Sequence, residues 1–212
     1  NQDYLGEDVK STIEAVKQFN QNLGSTTLDL GNSGTGIRLL SGYIAGSGKD
    51  CTLIGDKSLS QRPMNRIAEP LNSWGAEVSL KEQKFPPIMI KGTKLLPEFT
   101  YNLTIPSAQI KSCLLLAALS SKTKITIFEN IPSRDHTERM LEECGADIKR
   151  DGNKIILDGS IEIKKKFIDV PKDFSSAAYL IAANILSKKD ILLEGVGVNS
   201  TRTAFLDVVK EM

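Results

Sequence analysis

An α/β fold of repeated βαβαββ units, with parallel helices buried at its centre, is predicted by three features of the 212-residue chain. First, stretches opening at Ser33, Ser107 and Ser175 start with small residues and run on through Ala, Leu and Ile for a helix length, at intervals of about 70 residues. Second, a different helix pattern ends in Gly75-Ala76 and again in Gly145-Ala146 at the same interval, each time entering a strand-like run. Third, the two helix patterns differ in polarity. Leu114 to Leu119 and Ala177 to Ala183 have almost no polar face, as a fully buried helix requires, whereas Glu138, Arg139, Glu142 and Glu143 give the other kind a wet side.

The elements follow in order. Glu7 to Phe19 reads as a copy of the wet helix. Asn32 to Gly46 is the first buried helix, followed by a strand at Cys51 to Ile54. Arg62 to Trp74 is the second wet helix, with Pro63 suited to its first turn. Strands are predicted at Glu77 to Leu80 and Pro87 to Lys91, joined through Phe85-Pro86-Pro87. The pattern then repeats: buried helix Pro106 to Leu119, strand Lys124 to Phe128, wet helix His136 to Cys144, strand Asp147 to Arg150. Phe174 to Leu186 is the third buried helix, expected to place Ile181 deep in the core beside Leu115, followed by a β-like run at Asp190 to Leu193. Thr203 to Met212 is a further wet helix. Three units closing around three buried helices give a pseudo-threefold arrangement, since solenoid repeats are shorter, at roughly 20–50 residues. The register opens on a wet helix and stops where the other copies continue into Gly-Ala, so residues 1–212 read as one domain of a longer chain.

Composition narrows the function classes. With 40% hydrophobic residues the chain is no disordered tail, and a net charge of +1 removes electrostatic grounds for nucleic-acid or membrane binding. The longest apolar run, Cys113 to Leu119, is far below the roughly 20 residues that cross a bilayer. The polar opening Asn1 to Asp8 is no signal peptide, and Cys51, Cys113 and Cys144 are too widely spaced for a CxxC pair. A soluble cytoplasmic protein is expected. No His/Cys/Asp/Glu cluster has metal-ligand spacing and no nucleophile–His–Asp arrangement is visible, so neither metal nor cofactor is implied.

The chemistry sits at the helix starts. A helix N-terminus offers unpaired N–H groups and a partial positive charge to an anion. In Gly31-Asn32-Ser33-Gly34-Thr35-Gly36 the glycines let the backbone approach a ligand; a plain capped turn is the structural alternative. Arg38 lies one turn inside an otherwise apolar helix, and Arg62 and Arg134 recur at corresponding places one period apart. Taken singly each arginine has a structural explanation. Together, with a planar fork that matches phosphate and carboxylate, they point to a polyanionic small molecule. His136 is expected to cap or pack rather than to move protons.

Five segments resemble those of 5-enolpyruvylshikimate-3-phosphate synthases in order: Leu30 to Leu39, Gly55 to Met64, Pro106 to Ser112, Ser133 to Leu141 and Asn199 to Thr203. The resemblance spans essentially the whole chain. It implies the enolpyruvyl-transferase fold, two similar domains of three βαβαββ units, of which this chain matches the N-terminal one without its first strand and helix. It implies transfer of the enolpyruvyl group of phosphoenolpyruvate to shikimate 3-phosphate, through a tetrahedral intermediate and without a cofactor. By motif, Ser107, Ala108, Gln109, Ser133 and Arg134 are expected to bind shikimate 3-phosphate. Gly34, Arg62 and Gln109 are expected to hold phosphoenolpyruvate, with Asn32 and Arg38 shaping the site. The family's lysine-serine-arginine segment and its second domain, with the acid and base groups, have no counterpart here, so the fragment is expected to bind but not to turn over. UDP-N-acetylglucosamine enolpyruvyl transferase is the nearest alternative, but Lys57 stands where that enzyme carries a reactive cysteine. A non-catalytic anion-binding domain of the same fold is the alternative from another class.

Overall fold

The period takes physical form as two four-stranded sheets with the same wiring. The computed structural model describes residues 5–21, 26–92, 96–164, 167–187 and 190–211. In the first unit the order along the chain is β1 (Thr26–Asp29), α2 (Gly34–Ala45), β2 (Cys51–Ile54), α3 (Asn65–Ser73), β3 (Glu77–Lys81) and β4 (Phe85–Lys91), preceded by α1 (Glu7–Gln21). The second unit repeats it as β5 (Phe99–Leu103), α4 (Ala108–Ser121), β6 (Lys124–Glu129), α5 (His136–Glu143), β7 (Asp147–Asp151) and β8 (Lys154–Asp158). The strands lie in the orders β1-β2-β4-β3 and β5-β6-β8-β7. In each sheet the first pair is parallel and the other two pairs are antiparallel. Parallel neighbours need a crossover, and α2 and α4 supply it.

Those two crossover helices form the centre. Ile37 and Ile44 of α2 and Leu114 and Leu115 of α4 are buried in one core with Leu53, Ile88, Ile125 and Leu157 from both sheets. Burying each such side chain is worth about 1.5–3 kcal/mol. The helices touch backbone to backbone: a Cβ added at Gly42 would overlap the carbonyl oxygen of Cys113. The wet helices stop as predicted, with Gly75 at φ +104° and Gly145 at φ +83°, the left-handed conformation that frees the chain to turn at once into β3 and β7.

Four expectations change. The helix predicted from Arg62 starts only at Asn65, because Leu59–Gln61 form a single 3-10 turn and Arg62 is extended, with ψ 131°. Strand β4 begins at Phe85 rather than Pro87. Pro86 and Pro87 fall where the register shifts between Leu80 and Lys81, the irregular position at which a ladder tolerates residues without an N–H. Glu138 is not on the wet face of α5 but fully buried, drawn in by Lys111. The largest change concerns α6 (Phe174–Ser187): only Phe174 and Ala177 are buried, Ile181 is partly exposed, and Tyr179 and Leu186 are 81% and 85% exposed. A helix apolar all round needs cover on every side. In the first two units a sheet provides it, but Asp190–Leu193 are irregular and no strand follows α6 among the described residues. The last helix, α7, spans Ala204–Glu211, and Met212 lies outside the described residues.

Candidate functional site

The starts of α2 and α4 differ in what their serines do. Ser33 caps α2: its buried hydroxyl accepts the Gly36 N–H at 3.1 Å and meets Thr12 Oγ1 of α1 at 3.1 Å. It is spent on structure. Ser107 caps α4 more loosely, accepting from Ile110 N–H at 3.5 Å, and remains half-buried at a cleft. Serine suits both places because its oxygen answers an otherwise orphan N–H. The third helix start departs from the pattern, since Asp173 rather than a serine accepts from Ser176 N–H at 2.9 Å, and Ser175 is bonded instead by Arg202.

Gln109 binds the two helix starts together. Its Nε2 donates to Thr35 Oγ1 at 3.1 Å, and its Oε1 accepts from Arg38 Nη1 at 3.2 Å. Arg38 also donates to the carbonyls of Gly34 and Pro63, each at 3.2 Å. Arg62 lies over Gly34, close enough that a Cβ there would come within 2.8 Å of Nη1. Its Nη2 donates to Asn32 Oδ1, and Asn32 Nδ2 donates to Asp56 Oδ2 at 2.7 Å. The hydrogen bonds from Asn32 and from Leu59 N–H hold the Asp56 carboxyl below its ordinary range. Burial, then the charges of Arg62 and Arg66, lower the Arg38 guanidinium from its ordinary value. This side of Gln109 is therefore a cluster of cationic forks, held at close range and favourable to an anion that would relieve their repulsion.

Three clefts meet at Gln109. One of about 450 Å³ is lined by Ser107, Ala108, Gln109, Ser133, Arg134 and Thr201. A second, about 300 Å³, adds Thr35, His136 and Arg202, and a third, about 170 Å³, runs toward Arg38, Pro63 and Arg66. The exposed Arg134 makes no hydrogen bond or ion pair among the described residues, so its fork is free. His136 opens α5 and is exposed. Thus Ser107, Ala108, Gln109, Ser133 and Arg134 share one cleft, and Asn32, Gly34, Arg38 and Arg62 form a linked group reached through Gln109. A roomier cleft of about 550 Å³ over β2 and β4 carries no arginine. Among the described residues no group of three His, Cys, Asp or Glu can hold a metal ion, and no helix is long and apolar enough to cross a membrane.

Sequence reasoning passed over Asp135. Its Oδ2 accepts from Arg139 at 2.8 Å and Arg150 at 2.9 Å, its Oδ1 from Asn199 at 2.8 Å and Thr201 at 3.2 Å. It thereby fastens the 199–201 segment to the second unit and brings Thr201 to the cleft. Burial pushes this carboxyl up, but the bonds from Asn199, Arg139 and Thr201 and the Arg139 charge outweigh it and hold it at about 2, against an ordinary 3.8. A depressed carboxyl stabilises the fold fully above its unfolded value and loses that contribution as pH falls through its folded one. Asp135→Asn should therefore be less stable than the parent near neutrality. In urea unfolding the gap should narrow from about pH 4 to about pH 2; a gap unchanged at the lower end would contradict this role. The usable signal was Asp135 standing directly beside Arg134 at a helix start.

Comparison with known proteins gives a consistent picture. The family model described as EPSP synthase (3-phosphoshikimate 1-carboxyvinyltransferase) matches residues 3–212. The 3-phosphoshikimate 1-carboxyvinyltransferase of Methylococcus capsulatus is 46% identical over 186 residues, covering 87% of this chain and 43% of that protein. The enzyme of the same name from Enterococcus faecalis is 40% identical over 228 residues, covering 98% and 54%. The solved EPSP synthase of Acinetobacter baumannii superposes with a TM-score of 0.78 at 42% identity, over 88% of this chain and 42% of that one. The chain spans about half the length of the curated relatives it matches.

Proposed function

The chain belongs to the EPSP synthase family, and on that premise we propose that its whole protein transfers the enolpyruvyl group of phosphoenolpyruvate to the 5-hydroxyl of shikimate 3-phosphate, releasing phosphate. The reading places it in the shikimate pathway to aromatic amino acids, in the cytoplasm, working without a cofactor. The observation that carries it is Gln109 lining three adjoining clefts, with the free Arg134 on one side and Arg38 on the other. Such a site suits two anions that must be brought together.

In this reading Ser107, Ala108, Gln109 and Ser133 hold shikimate 3-phosphate, with Arg134 on its phosphate. Arg62 and the Gly34 backbone hold phosphoenolpyruvate, while Asn32 aligns Arg62 and Arg38 aligns Gln109. The 5-hydroxyl gives up its proton as its oxygen bonds to C2 of phosphoenolpyruvate, and the opening C2–C3 double bond takes up a proton at C3. The tetrahedral adduct then loses phosphate and a C3 proton to restore the double bond. Fixed cationic forks offset the repulsion of the two substrates and orient the attack. The groups that move protons belong, in this proposal, to a second domain of the same polypeptide. The 1–212 segment forms one domain whose α6 completes a pseudo-threefold set in that company.

UDP-N-acetylglucosamine as acceptor is disfavoured. Lys57 occupies the position of that enzyme's cysteine, and burial pushes the Cys51 thiol up to about 11, far from a reactive thiolate. The test is phosphate release with both substrates. The full-length protein should turn over, and the 212-residue chain alone should not, while keeping weak affinity for shikimate 3-phosphate in a calorimetric titration. Turnover by the chain alone would overturn the division of labour. A full-length protein that binds but never releases phosphate would favour a non-catalytic domain.

A further inference from the structure

Arg134 stands on a short loop, Pro132 to Asp135, between β6 and α5. Beside it opens a cleft of about 270 Å³ lined by Lys111, Glu129, Ser133, Asp135, Glu138 and Arg150, among others. Polar contacts anchor it at two points. One anchor is Asp135, described above. The other comes from inside: Glu129 Oε1 accepts the backbone N–H of Ser133 at 2.9 Å. The second oxygen of Glu129 is held by Lys111 Nζ at 2.9 Å, and Lys111 also meets Glu138 Oε1 at 2.7 Å. Lys111 and Glu138 are each 1% exposed, and neither Glu138 oxygen is aligned for a hydrogen bond. A buried ion cluster of this kind contributes little net stability compared with apolar residues of the same volume. It does fix geometry. Lys111 sits one turn into α4 from the Ser107 cap, its own N–H bonded to the Ser107 carbonyl at 3.2 Å. The chain of contacts Ser107, Lys111, Glu129, Ser133 thus ties the start of α4 to the loop that carries Arg134.

We infer that Glu129, held by Lys111, is a positioning residue that sets where the Arg134 loop stands relative to Ser107 and Gln109. The inference rests on the proposed role of Arg134 at the substrate phosphate. Glu129 touches no substrate; it acts through the Ser133 N–H. Its removal loosens a ligand-binding loop, so the loss appears as affinity for the phosphorylated acceptor and not for the other anion.

The experiment uses the full-length protein with Glu129→Ala and Glu129→Gln. Alanine leaves Lys111 paired with Glu138, so no buried cation is stranded. Glu129→Ala is expected to raise the Michaelis constant for shikimate 3-phosphate about tenfold and leave that for phosphoenolpyruvate within about twofold. Glu129→Gln, whose amide oxygen can still accept the Ser133 N–H but whose NH2 replaces the oxygen that Lys111 holds, is expected to recover only part of the loss. Equal changes in both constants would overturn the inference. Hydrogen exchange of the Ser133 amide in the unsubstituted protein is a readout that needs no variant: protection supports the anchor and free exchange refutes it. Arg134→Ala is measured alongside. If it binds shikimate 3-phosphate normally, the assignment of Arg134 falls and this inference with it. If it loses affinity while Glu129→Ala does not, only the positioning inference falls.

Discussion

Gly42→Ala should measurably destabilise the protein, although alanine is the better helix former by about 1 kcal/mol. The reason is the contact at the centre of the core. The added methyl would occupy the space of the Cys113 carbonyl oxygen, and a backbone atom cannot swing aside as a side-chain tip can. Helices α2 and α4 must part, and Leu114, Leu115, Ile37 and Ile44 must repack around the gap. Overpacking of this kind costs about 1–3 kcal/mol. For a chain of this size that corresponds to a fall of roughly 2–12 °C in the unfolding midpoint. Circular dichroism melting would show it. A midpoint at or above that of the parent would mean the helix pair yields without penalty, contrary to the packing described.

Arg62→Ala should lower kcat/KM for phosphoenolpyruvate in the full-length protein by roughly one to two powers of ten, the worth of a charge-assisted contact of about 1.5–3 kcal/mol. Binding of shikimate 3-phosphate should change little, because Arg134, Ser107 and Ser133 line a cleft on the other side of Gln109. Arg62→Lys should recover only part of the loss, since an ammonium offers a point charge where the guanidinium offers two parallel N–H donors to a carboxylate or phosphate. Unaltered kinetics for phosphoenolpyruvate in Arg62→Ala would remove this residue from the site.

Much of this architecture was legible because it rests on local rules. Gly75 and Gly145 announce helix ends wherever they occur, and Ser33 and Ser107 announce helix starts. Their spacing revealed the repeat. What escaped depends on partners distant in sequence. Glu138 looks like any solvent-facing glutamate until Lys111, on another helix, draws it inward. Asp135 gains its meaning from Asn199 and Thr201, more than sixty positions downstream. The exposure of α6 escaped for a different reason. An Ala/Leu/Ile helix states its need for cover, whereas whether cover is met depends on strands that the run Asp190–Leu193 does not form. For the candidate site, residue types and order were readable; the linkage through Gln109, which joins the starts of α2 and α4 and lines three adjoining clefts, was not.

The glycine contact between α2 and α4 has a bearing on how such a protein can change over generations. Because main chain meets main chain there, the spacing of the two helices is a gauge set by atoms that every residue shares. Side chains that line the clefts around Gln109 can thus vary while this helix spacing stays constant. Variation in the cleft lining and constancy of helix spacing are thereby uncoupled, and Gly42 and Gly46, where an added Cβ would meet the Cys113 and Ala117 carbonyls, are where a lineage would lose the second.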